Sequence, residues 1–124
     1  MCLTLKTPNI LTASENIPVI KVLKRGKDGK IHSPIFPGIW EPGLEYHEEL
    51  TIIPYGFGIS NEYRTLNGFH SFSGTNDPEL CKAVMGIFAD NLEVWKAEIS
   101  KGSKYVQEGN KFCSNSLRII SRIK

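Results

Sequence analysis

Apolar residues recur along this chain with two different periods, and the change from one to the other divides it into elements. Between Ile17 and Lys24 the residues Val19, Ile20, Val22 and Leu23 make a β-rich run bounded by Gly26. Asp28-Gly29 then supplies hairpin chemistry into a second strand over Lys30 to Ile35. Pro34 and Pro37 end that strand or place it at an edge, because proline has no N–H to donate to a ladder. Gly38 to Gly43 reads as a short strand and a turn, with Trp40 as a core anchor. The stretch 48–64 has no clear period; Tyr55-Gly56-Phe57-Gly58 within it suits a covering loop.

From Asn67 to Phe88 the pattern is strand, polar turn, helix. Gly68-Phe69-His70-Ser71-Phe72-Ser73 leads through Gly74-Thr75-Asn76 to Asp77, a helix N-cap, with Pro78 at the first helical position. Leu80, Val84, Ile87 and Phe88 recur at helical spacing, and Asn91 is expected to end the helix. From Leu92 to Ile99 the period becomes two, placing Trp95, Ala97 and Ile99 on one face. Lys101-Gly102 turns the chain, Gln107 to Lys111 reads as a polar loop, and Ser116 to Lys124 as a closing strand. In that strand Leu117, Ile119 and Ile123 are expected on one side, with Arg118 and Arg122 on the other.

The predicted architecture is α+β: a curved, mainly antiparallel sheet with one principal helix packed on it. It forms a single domain over residues 1–124, divided into an N-terminal arm (1–16) and a core (17–124). One helix covers only part of such a sheet, so the rest of its apolar surface calls for a second sheet or a homo-oligomer.

A chain of 124 residues with 40% hydrophobic content can sustain its own core. The net charge of +2 is too small to indicate nucleic-acid binding. Cys2, Cys81 and Cys113 are odd in number and lack the close pairs of a zinc site, which points to a reduced, cytoplasmic protein with no structural metal. No signal-peptide pattern or membrane-length apolar run is present, so no membrane partner is expected.

Candidate chemistry gathers around the strand-to-helix junction. His70 is a base or hydrogen-bonding group in one reading and a structural residue in the other. Ser71 and Ser73 lack a nucleophile elbow. Because Asp77 competes for the helix N-terminal donors, a phosphate is expected on Arg64, Arg118 or Arg25 instead. Phe57, Tyr63 and Tyr105 are candidates for an aromatic wall against a planar base.

Asn67-Gly68-Phe69-His70-Ser71-Phe72, Ile99-Ser100-Lys101-Gly102-Ser103-Lys104-Tyr105 and Ser114-Asn115-Ser116-Leu117-Arg118-Ile119-Ile120 resemble segments of small uncharacterised proteins of phages and gut bacteria. The resemblance implies a phage-encoded accessory protein without an established activity and suggests an anti-defence role in sequestering a nucleotide signal. The arginines and aromatics around the junction lead to the expectation of non-enzymatic binding, without a cofactor, of a nucleotide-like ligand near His70, Ser73 and Arg118. The C-terminal half is also similar in element order to ADP-ribosyltransferases. Ser71-Phe72-Ser73 stands where one branch of that family has Ser-Thr-Ser, and Arg25 corresponds by position to its NAD-binding arginine. The catalytic Glu-x-Glu has no counterpart near Ser114 to Leu117, so this resemblance implies at most a degenerate enzyme. A protein-interaction module acting through a sheet face is the third alternative.

Overall fold

The computed structural model describes residues 4–5, 9–34, 38–55, 62–85 and 91–123. Along the chain these form β1 (Thr4–Leu5), β2 (Leu11–Thr12), β3 (Ile17–Arg25), β4 (Ile31–His32), β5 (Ile39–Trp40), β6 (Glu45–His47) and β7 (Thr51–Tyr55). There follow β8 (Glu62–Asn67), β9 (Phe69–Ser73), the helix α1 (Pro78–Met85), β10 (Leu92–Ile99), β11 (Lys104–Glu108), β12 (Lys111–Ser114) and β13 (Ser116–Ile123).

Strand β3 organises the larger sheet. It pairs with β10 along its whole length, with β9 at Val19 and Ile20, and with β4 at Lys24 and Arg25. Strand β9 pairs with β12 and β10 with β13, while β12 runs into β13 through the single residue Asn115. The strands therefore wrap around a common interior. Val19, Leu23, Trp95, Ala97, Ile99, Phe112, Leu117 and Ile119 fill it, together with Trp40 and Ile31.

The outer face of β3 and β10 is also apolar, because α1 covers it. Ile20, Val22, Phe72, Leu92 and Val94 pack there with Cys81 of the helix. Burial on both faces explains why β3 reads as a continuous apolar run rather than an alternating one. A second, three-stranded sheet in the order β1-β8-β7 packs nearby, where Leu5, Leu50, Ile52 and Tyr63 meet Val106 and Cys113. Pro54 lies in its edge strand β7, the kind of strand to which proline is largely confined because it has no N–H to donate.

The expectation of an α+β fold with a principal helix is corrected. Among the described residues the protein is nearly all sheet, with α1 as its one helix. Asp77 does cap it, accepting the Glu79 N–H at 3.0 Å. The helical spacing nevertheless misplaces Leu80, which is 62% exposed, whereas the neighbouring Cys81 is buried. Ile87 and Phe88 of the expected helical row lie outside the described residues. The polar stretch 107–111 is a hairpin joining β11 to β12, with Gly109 in the left-handed region. Its polar residues are compatible with pairing because backbone bonds form the ladder whatever the side chains.

A β-bulge produces a second difference. Lys96 pairs with Ser121 but Ala97 with Ile119, so Ile120 is an extra residue in β13. The insertion reverses which face each later residue occupies. Arg122 lies opposite Trp95, whereas Ile123 packs with the outer apolar cluster. Among the described residues no helix is long and apolar enough to cross a membrane.

Candidate functional site

The sequence-predicted site residues occupy several separate environments. Arg118 pairs with Glu98 on the adjacent strand. Ser73 turns toward Thr75, its hydroxyl 3.0 Å from Thr75 Oγ1, and serves the turn before α1. Tyr63 packs between the two sheets, and Tyr105 stacks obliquely on Phe112 with centroids 5.8 Å apart. Arg64 is half-buried on β8 next to the fully buried Thr65, and Phe57 lies outside the described residues. The expected aromatic wall is not assembled by Tyr63 and Tyr105, which are packed in different clusters.

His70 reaches across to the small sheet, where its Nε2 lies 3.2 Å from Thr65 Oγ1. Burial, reinforced by the nearby Lys21 ammonium, lowers its pKa to about 4. It is therefore neutral near pH 7, bound to a hydroxyl in a structural bridge. Ser71 is buried and its Oγ has no hydrogen-bond partner among the described residues.

Sequence reasoning passed over Lys21, on the inward row of β3 between Val19 and Leu23. Its Nζ donates to the His70 carbonyl at 2.6 Å and lies 5.8 Å from the Trp40 ring centroid. Burial lowers its pKa to about 8, partly offset by the charges of Cys113 and Glu48. A lysine inside an otherwise apolar β-run was the available signal.

The geometry that gathers charge around open space lies elsewhere, at the end of the β3–β10 pair. Arg25 is the last residue of β3, and its guanidinium grips Glu93 with two prongs: Nε to Oε2 at 3.0 Å and Nη2 to Oε1 at 2.9 Å. The third nitrogen, Nη1, donates to the Gly29 carbonyl at 2.8 Å, tying the arginine to the hairpin turn. Glu93 shares its row with Trp95, Ala97 and Ile99, and is only 7% exposed. It also accepts from Trp95 Nε1 at 3.3 Å and lies 3.5 Å from Arg122 Nη1. The Arg25 hydrogen bonds hold its pKa below the ordinary value, against the opposing effect of burial.

Arg25, Gly26, Lys27, Asn91, Leu92, Glu93 and Arg122 line an open recess of about 320 Å³ at this point. Among the described residues three cations face one carboxylate there, a net of two positive charges. Among the described residues that the sequence predicts for the site, Arg25 alone lines it. The signal that could have found Glu93 is its place in the apolar row, since a carboxylate at such a position needs a cation beside it. Arg122 had no equivalent signal, because the bulge at Ile120 decides its direction.

The arrangement can hold an anion by charge and hydrogen bonding, with guanidinium forks suited to phosphate or carboxylate. Among the described residues no group of three or more His, Cys, Asp or Glu side chains is placed to hold a metal. The residues of the transferase resemblance are not brought together. Ser73 pairs with Val19, six residues along β3 from Arg25, a separation of roughly 20 Å at the rise of an extended strand. No protein-family model, curated protein or solved structure matches the chain.

Proposed function

We propose that this protein binds, without chemically transforming, a nucleotide-like ligand through its phosphate, and in that way acts as a sequestering accessory protein. The supporting observation is the recess bordered by Arg25, Lys27 and Arg122, whose three positive charges exceed the one carboxylate, Glu93, among its described lining residues. Arginine presents paired N–H donors that match phosphate oxygens. Among the described residues the site supplies cations and a polar Asn91 without a general acid–base pair, which favours binding over catalysis.

The test is isothermal titration calorimetry and thermal shift with inorganic pyrophosphate, ADP-ribose, NAD and cyclic mononucleotides. Wild-type protein should bind at least one of these, and the double variant Lys27→Gln/Arg122→Gln should bind it at least about tenfold more weakly, as expected for lost charged hydrogen bonds. Silence of the wild type across the panel, or equal binding by the double variant, overturns the proposal.

A further inference from the structure

The two arginines flanking Glu93 are held very differently. Arg25 uses all three guanidinium nitrogens, two on Glu93 and one on the Gly29 carbonyl, and its side chain is 38% exposed. Arg122 is 57% exposed and approaches Glu93 at 3.5 Å, an ion-pair contact longer than a good charged hydrogen bond. Release of Arg122 would leave both Glu93 oxygens partnered, because Arg25 holds each of them and Trp95 Nε1 shares Oε1. Release of Arg25 would instead strip a nearly buried carboxylate of its two closest donors, at a large desolvation cost.

Resting on the phosphate-binding reading above, we infer that Arg122 is the ligand-gripping residue, that Arg25 positions Glu93, and that the preferred ligand carries a terminal, dianionic phosphate. Among the described residues the recess lining contains no aromatic ring, so these offer a base nothing to stack on. Its net of two positive charges matches a phosphate monoester or pyrophosphate terminus better than the single charge of a cyclic phosphodiester. Arg122 reaches the recess only because the extra residue Ile120 turns it to the face of Trp95.

The test compares calorimetric affinities for inorganic pyrophosphate and a cyclic mononucleotide at matched ionic strength, in wild type, Arg122→Gln and Lys27→Gln. Pyrophosphate should bind the wild type more tightly than the cyclic mononucleotide. Arg122→Gln should weaken pyrophosphate at least about tenfold, while its melting temperature stays near wild type and Arg122→Lys restores part of the affinity. Equal binding of both ligands, or a loss confined to Lys27→Gln, overturns this inference and leaves the phosphate-binding reading standing. No binding of any phosphate ligand by the wild type overturns both.

Discussion

Arg25 and Glu93 are 68 residues apart in the chain, yet Arg25 Nε and Nη2 meet Glu93 Oε2 and Oε1 at 3.0 and 2.9 Å. The antiparallel register of β3 on β10 produces the meeting, pairing Leu23 with Glu93 and Lys24 with Leu92. The ion pair closes the end of the strand pair, and the Arg25 N–H donates to the Asn91 carbonyl at 3.0 Å beside it.

Glu93→Gln keeps the side chain's shape and removes its charge. It should lower the melting temperature at pH 7 by about 5 °C, a modest loss because water screens the half-exposed Arg25. The folded protein holds the Glu93 pKa below its ordinary 4.5. Its contribution is therefore complete above about pH 4.5 and lost as the pH falls through the lowered folded value. Thermal melts from pH 7 to 3 should show a shallower acid decline in Glu93→Gln; parallel profiles would contradict the assignment.

His70 gives a separate acid dependence. Its pKa falls from 6.5 to about 4 on folding, so the unfolded chain binds the extra proton between those values. Stability contributed by neutral His70 is complete above about pH 6.5 and declines as the pH drops toward 4. Urea denaturation should show a loss of about 2 kcal/mol between pH 7 and pH 5, absent in His70→Gln. An NMR titration of the His70 ring with a midpoint near 6.5 would refute the buried, neutral state.

Gly68 permits the tight passage from β8 to β9. Its φ of +128° is a conformation that side-chain-bearing residues rarely adopt. An added Cβ would lie 2.6 Å from Cys113 Sγ, 3.1 Å from Leu50 Cδ1 and 3.2 Å from the Ser114 carbonyl oxygen. Gly68→Ala should cost about 2–4 kcal/mol in chemical denaturation, from backbone strain and overpacking together. Gly102→Ala meets nothing within 4 Å and carries only the backbone strain of its positive φ, so it should cost less; equal losses would show that crowding at Gly68 is unimportant.

By itself the sequence determined the local features that depend on neighbouring residues. The β-rich run ending at Arg25, the Asp28-Gly29 hairpin, the inward row of Trp95, Ala97 and Ile99, and the Asp77 cap all follow from side-chain alternation or turn chemistry. The segment from Asn67 to Ser73 was legible as a strand but not as a junction between two sheets, because neither Thr65 as a partner of His70 nor Cys113 beside Gly68 is coded locally. Tertiary structure alone decided that β12 and β13 form one bent path, that Leu80 of α1 points outward, and that the Ile120 bulge turns Arg122 toward Glu93. A one-residue shift in strand pairing reverses every later side chain, so the make-up of the charged recess depends on register between strands far apart in the chain.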